Sequence, residues 1–244
     1  MKIQLVSDVH IEFRRGYEID DIEAIASEEA DVTVIAGDFC DSHRLSFLNF
    51  LNMIKRPVLY VLGNHEFYGA NVKEVYADFH KYASSNVTLL DNNLYTIDGV
   101  TFGGATMWYP PKEGINVGMM DFHQIRGFLP WVHDKHEATR KFLTQAVHSA
   151  DVIVTHHMPT PAATPLRFVG SELNHFFCHD CTDLVDGTQR AKYWFFGHTH
   201  TPYDSMYNKL RFVANPRGYP EHIESRFGGH ENHNWKSVVL DTNE

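Results

Sequence analysis

Six short runs constrain this chain more than anything else in it: "KIQLV" at 2–6, "VTVIA" at 32–36, "PVLYVL" at 57–62, "VTFGGATM" at 100–107, "DVIVTH" at 151–156 and "YWFF" at 193–196. Each has the length and the β-branched or aromatic content of a strand. They are apolar almost throughout instead of alternating with polar residues, which is the pattern of strands covered on both faces. Stretches with helical spacing lie between them: Ile22-Ile25-Ala26 in the acidic 19–30 segment, Leu45-Leu48-Leu51-Met53, Val72-Val75-Tyr76-Phe79, and a longer one over about 133–149. Such alternation argues for sheets with helices packed on them.

Other segments add antiparallel strands. "LYTI" and "TFGGA" are joined by the turn signal "DGV", and "DSMYNKLRFVANP" and "SVVLD" read as strands joined by short turns. The expected fold class is therefore α/β with antiparallel additions (α+β), two sheets in a β-sandwich flanked by helices. The 244 residues, 43% hydrophobic and 13% aromatic, can bury one large core, so the chain reads as a single domain over 1–244. Segments 109–131 and 158–182 read as long functional loops that set specificity.

The residues able to do chemistry fall at the ends of these strands. Asp8 and His10 follow the first, Asp38 the second, Asn64 and His65 the third, His156 and His157 a later one, and His198 and His200 the last. In open α/β sheets, ligands bind outside the carboxyl ends of the strands. Gly37, Gly63 and Gly197 each precede one of these polar residues, where a missing side chain permits a tight turn and close approach of an ion.

Asp8, His10, Asp38, Asn64, His156, His198 and His200 form a mixed nitrogen and oxygen donor set of borderline hardness. It suits Mn, Fe, Zn, Co or Ni better than Ca or Mg. Seven donors are too many for one such ion and match two ions sharing a carboxylate. Two ions roughly 3.5–4 Å apart generate hydroxide near neutral pH and clamp a phosphoryl group. With two aspartates and a hydroxide, two divalent ions leave about one net positive charge, which attracts a phosphate.

D-x-H, then G-D, then G-N-H-E, then a histidine before a proline-containing loop, then G-H-x-H occur in this order from residue 8 to residue 200. By these motifs the chain resembles the calcineurin-like metallophosphoesterases. The resemblance implies a β-sandwich flanked by helices and two divalent metal ions, manganese the first expectation. It implies Asp8, His10 and His200 on one ion, Asn64, His156 and His198 on the other, and Asp38 bridging. His65 then contacts the phosphate and acts as general acid to the leaving alkoxide. "NPRGYP" at 215–220 and "MMDFHQIR" at 119–126 resemble a bacterial and phage subgroup.

The remaining candidates carry less. His157 is expected behind His156, and Glu66 is expected to cap or position its loop. Asp121, His123 and Arg126 lie in a segment that can reach substrate or form internal pairs, and Arg217 is open between the same two roles. Cys178 and Cys181 in "CHDC" make a lone C-x-x-C that His179 does not complete into a tetrahedral site. Cys40 reads as a small buried residue, His230 and His233 as part of a polar tail, and Trp108 and Tyr109 as core or as a stacking surface.

A formal net charge of −10 opposes long nucleic acid and anionic membrane surfaces. No run approaches the roughly 20 apolar residues that span a bilayer, and three cysteines do not form a disulfide framework, so a cytoplasmic location is expected. The expected activity is hydrolysis of a small, nucleotide-like phosphodiester by metal-bound hydroxide. A phosphomonoesterase acting on a nucleotide or phosphoprotein stands beside it, and a catalytically silent scaffold stands behind both.

Overall fold

The computed structural model describes residues 1–14, 25, 27–110, 112, 118–224, 235 and 239–242. Eleven strands are described: β1 (Lys2–Val6), β2 (Val32–Ala36), β3 (Val58–Val61), β4 (Val87–Leu89), β5 (Asn93–Ile97), β6 (Val100–Ala105), β7 (Val152–Thr155), β8 (Tyr193–Phe196), β9 (Tyr203–Tyr207), β10 (Leu210–Ala214) and β11 (Val239–Asp241). They form two mixed sheets, ordered β11-β1-β2-β3-β4 and β5-β6-β7-β8-β10-β9. β1 to β4 run parallel in the first, and β6, β7, β8 and β10 run parallel in the second. The antiparallel strands are the expected additions: β5 on β6, β9 on β10, and β11 on β1.

Side-chain alternation explains why the strands are apolar throughout. Ile3, Leu5, Val32, Val34, Leu59 and Val61 from one sheet meet Phe102, Val152, Val154, Phe195 and Val213 from the other in a layer between the sheets. The intervening residues point outward but are still covered: Tyr60 joins the cluster that holds Phe79, while Ile153, Trp194 and Phe196 pack with Leu143 and Val147. Both faces of the central strands are therefore removed from water.

The helical segments supply that covering. Helix α1 (Val72–Tyr82) starts at a capping box, in which the Asn71 side chain accepts from Lys73 N and Glu74 accepts from Asn71 N. It buries Val72, Val75 and Phe79. Ser42–Met53 forms 3-10 turns, consistent with burial of Leu45, Leu48 and Leu51 at intervals of three. A short helix α2 (Asp121–Gln124) precedes the long α3 (Phe128–Ser149), which contains the expected 133–149 stretch and begins one turn earlier. Of the helical pattern in 19–30, Ile22 and Ala26 lie outside the described residues, as do His230 and His233. Among the described residues no helix is long and apolar enough to cross a membrane.

The hairpins follow turn chemistry. Asp98 and Gly99 both have positive φ between β5 and β6, and so do Asn208 and Lys209 between β9 and β10, the geometry of two-residue turns that match strand twist. Gly104 in β6 faces the other sheet, where an added Cβ would lie 2.6 Å from Leu90 Cβ and 3.0 Å from Val61 Cγ2. Gly104→Ala is therefore expected to force the sheets apart and cost about 1–3 kcal/mol. Chemical denaturation reads this directly; an unchanged midpoint would show that the layer accommodates the methyl group.

Candidate metal centre

The parallel strands bring their carboxyl ends to one edge of the sandwich. Asp8, His10, Asp38, Asn64 and His65 come from the loops after β1, β2 and β3 of one sheet, and His156, His198 and His200 from those after β7 and β8 of the other. The loops are tied across the sheets. His198 N donates to both Asp8 carboxylate oxygens, at 2.9 and 3.1 Å, and His156 Nδ1 donates to Ala36 O at 2.9 Å. Within one sheet, His10 N donates to Asp38 O.

The donor atoms converge in overlapping groups, one of which joins His10, Asp38 and His65 across the two described next. Asp8, His10 and His200 each place a ligand atom within 4.8 Å of the others, and so do Asp38, His156 and His198. His10 Nε2 is 3.0 Å from His200 Nε2, and His156 Nε2 lies 3.1 Å from both His198 Nδ1 and Asn64 Oδ1. Asp38 Oδ2 stands between the groups, 3.3 Å from His156 Nε2 and 3.7 Å from His10 Nε2. All seven donor residues predicted from sequence are thus brought together.

The backbone there departs from ordinary conformations. Asp8, His10, Asp38, His198 and His200 all have positive φ, between 49° and 70°, which costs roughly 1–3 kcal/mol per residue. Asp and His tolerate this region better than most residues do. The three glycines stand where an added Cβ would collide with neighbouring groups of the site. A Cβ at Gly37 would strike the His156 ring, one at Gly63 would lie 2.6 Å from Asp38 N, and one at Gly197 would lie 2.7 Å from Asp8 Oδ2.

Glu12 was not singled out by sequence reasoning. Its Oε1 accepts from His10 Nδ1 at 2.9 Å and from His65 Nδ1 at 2.8 Å, so one buried oxygen fixes two rings. Binding Nδ1–H leaves His10 Nε2 as the lone-pair nitrogen facing the donor group. Burial opposes the charge on Glu12, yet His10 and His65 hold its carboxyl at about 2. His65 is likewise opposed by burial, but Asp38 and Glu12 push it up to about 9. Its Nε2 is 3.2 Å from the hydroxyl of Tyr219, a second residue unmarked in the sequence.

Other candidates divide between support and packing. Glu66 accepts from Gly63 N, Asp38 N, Phe39 N and Tyr60 OH, so it holds the Asp38 and Gly63 loops together. Burial first, then Asp38, raises its carboxyl to about 7. Asp121 Oδ1 accepts from Asn64 Nδ2 at 3.0 Å and from Tyr68 OH at 2.7 Å, which turns Asn64 Oδ1 toward His156. Arg126 instead bonds Glu74 and Gly69 O at the surface, and exposed His123 lies beside it in the chain. Arg217 packs its guanidinium 4.8 Å from the Trp235 ring.

His157 Nδ1 bonds Thr106 O, and burial, then the neighbouring His156, lowers it to about 3. Trp108 is core, with Phe67, Phe128 and Trp131 around it, while Tyr109 OH donates to Asp121. Burial pushes Cys178 and Cys181 up to about 12, the thiol of Cys40 is also raised by burial, and no metal-competent group among the described residues includes a cysteine. A short signal for Glu12 existed, an acid two residues after His10, but a solvated loop charge gives the same signal.

The residues fit divalent cations. Asp8, Asp38, Glu66 and Asp121 are buried, the side chain of Glu12 is only 5% exposed, and none has a Lys or Arg ion pair among the described residues; histidines are the bases paired with Asp8, Glu12 and Asp38. The imidazoles beside them offset only part of the charge of so many buried carboxylates, and imidazole lone pairs are borderline metal donors. A cleft of about 350 Å³ opens onto the set, with Asp38, Asn64, His65, His198, His200 and Tyr219 among its lining.

Residues 1–202 match the family profile described as calcineurin-like phosphoesterase. An uncharacterized protein of Acanthamoeba polyphaga mimivirus is 24% identical over 265 residues, covering 89% of this chain and 91% of the relative. A UPF0046 protein of Caenorhabditis elegans is 27% identical over 228 residues, covering 85% of this chain and 66% of the relative. Among solved structures, a phosphopantetheinyl hydrolase from Mycobacterium tuberculosis superposes with a TM-score of 0.65 at 17% identity, over 96% of this chain and 94% of the other. A dimetal phosphatase from Danio rerio gives 0.55 at 13% identity, over 87% and 86%. At these identities the structural likeness is one of fold.

Glu12→Gln keeps the shape of the side chain and removes the charge that orders both Nδ1–H groups. It is expected to weaken divalent-ion binding by roughly 10- to 100-fold. Calorimetric titration of chelator-stripped protein measures it, and wild-type affinity in the variant would remove Glu12 from the support of the donor set.

Proposed function

The chain belongs to the calcineurin-like phosphoesterases, and from that premise we propose that it hydrolyses a small phosphodiester at the strand-end donor set. It is a metal-dependent phosphoester hydrolase by family; the diester preference and the roles below are the proposal. The observation that carries it is the position of Asp38 Oδ2 between the two converging donor groups. Asp8, His10 and His200 would hold one ion, Asn64, His156 and His198 a second, and Asp38 would bridge them, with manganese the proposed metal. Ions held there supply Lewis acidity toward phosphoryl oxygens and a nucleophilic water at neutral pH.

The protein's own groups do the rest. Asp38 Oδ1 accepts His65 N at 2.9 Å, and Glu12 holds the ring at Nδ1, so His65 Nε2 is the atom free to work at the cleft. Protonated, it binds a phosphoryl oxygen and delivers its proton to a departing alkoxide. The Tyr219 hydroxyl, 3.2 Å away, holds that nitrogen in direction until substrate arrives. The cleft volume and a net charge of −10 favour a small anionic substrate over a long nucleic acid. The complete donor set weighs against a silent scaffold.

Chelator-stripped protein reloaded with manganese should hydrolyse bis-p-nitrophenyl phosphate faster than p-nitrophenyl phosphate. Asp38→Ala should lose at least about 10²–10³ of kcat/KM, the scale of removing a main electrostatic contact. The reverse preference would assign a monoesterase, and no turnover with both ions bound would overturn the hydrolytic reading. His65→Ala should slow diesters with poor leaving groups more than activated ones, since only the former need a proton. Equal losses on both series would leave His65 without an acid role.

A further inference from the structure

The cleft beside the donor set has two chemically different ends. One is polar and carries Asp38, Asn64, His65, His198 and His200. The other is walled by Met119, Met158 and Phe177, and Phe177 lies against the His198 ring at 4.6 Å, so the apolar wall begins where the donor atoms end. Met120, Phe168 and Leu173 continue it to the mouth, where they are 49%, 37% and 38% exposed. Large apolar side chains gathered and exposed at a cleft mouth mark a ligand groove more often than they serve folding.

The composition of the wall narrows the ligand. A sugar or a nucleobase needs convergent hydrogen-bond partners; the lining includes Thr164, Ser171 and Asn174, but Ser171 Oγ accepts Leu173 N and Asn174 Nδ2 donates to Phe168 O, so the wall offers mainly thioether and phenyl surfaces. Methionine side chains are flexible and polarizable and adapt to chains of variable shape. At the mouth, the Arg167 guanidinium lies 4.8 Å from the Phe168 ring and donates to Thr201 Oγ1 at 3.1 Å, with no carboxylate partner among the described residues. It gives an anionic head group an attractive entry past the apolar rim.

We infer that the site takes phosphoesters whose organic part carries an apolar arm of several carbons, laid along Met119, Met158 and Phe177 toward Phe168 and Leu173. The placement of the phosphoryl group at the donor end rests on the phosphoesterase reading; the apolar subsite rests on the cleft. Met119, Met120, Met158, Phe168, Leu173 and Phe177 fall in segments 109–131 and 158–182, which the sequence marked as specificity loops, although Asp121–Gln124 and the residues from Phe128 are helical.

Non-hydrolysable alkylphosphonates from methyl to hexyl test the inference on zinc-loaded protein, whose diamagnetic ions leave nearby signals sharp, with 13C-methyl-labelled methionines. A fully buried methylene is worth roughly a fourfold change in affinity, so partial burial of the chain should lower Kd at least about tenfold from methyl to hexyl. Of the 7 methionines, the methyl signals of Met119, Met120 and Met158 should move with the hexyl compound. Phe168→Ser or Leu173→Asn should flatten the dependence on chain length. Leu166→Ser, 92% exposed and outside the cleft lining, should keep it.

A flat series, an equal slope in all variants, or shifts at other methionines would overturn the subsite. So would concentration-dependent self-association abolished by Phe168→Ser, which would assign the rim to a second copy. Hydrolysis of bis-p-nitrophenyl phosphate by the same preparation separates the two readings. A flat series in a hydrolysing protein rejects only the apolar arm; a steep series without hydrolysis supports the arm and rejects the phosphoesterase reading.

Discussion

Everything at the candidate centre depends on burying carboxylates at the edge where two sheets meet. Asp8 and Asp38 sit almost wholly out of water with Glu12 and Glu66 close by, and each is held by directional bonds. Backbone N–H groups of His198 and His65 reach the two aspartates, and Tyr60 with several amides reaches Glu66. Hydrogen bonds offset part of the desolvation of such groups, but the remaining negative charge still calls for cations. The donor set and the family therefore agree on a physical ground: a cluster of this composition fits divalent cations.

That demand propagates into the backbone. Five of the seven donor residues lie in left-handed conformations, and Gly37, Gly63 and Gly197 leave no room for a methyl group against neighbouring ligand atoms. Local strain of this kind persists only where surrounding structure over-determines it. Here the determination comes from both sheets, since bonds such as His156 to Ala36 and His198 to Asp8 cross between them. The layer of apolar side chains between the sheets, tight enough to require Gly104, holds the edges in the register these bonds need.

Around the donors, a set of supporting residues decides which atom of each ligand faces inward. Glu12 fixes His10 and His65, Ala36 O fixes His156, and Asp121 with Tyr68 turns Asn64. Farther out the cleft changes from polar to apolar within the width of one ring, at Phe177 beside His198. The polar end of the cleft is thus built by strand-end turns, and its apolar wall by Met119, Met158 and Phe177 from segments between the strands.

The sequence by itself determined the strands, the alternation that covers both their faces, and the strand-end placement of the seven candidate donors, because strand periodicity and strand-end position are local properties. Runs such as "VTVIA" and "YWFF" became strands with the expected bounds, and G-D, G-N-H-E and G-H-x-H delivered their polar residues to one edge. The tertiary structure alone decided that three donor clusters come from one sheet and two from the other. It alone separated Asp121, which orients Asn64, from Arg126, which pairs with Glu74 at the surface. The roles of Glu12 and Tyr219 were illegible for the same reason: both meet His65, 53 and 154 residues away in the chain, a range that neither the spacing of Glu12 from His10 nor the run "NPRGYP" reports.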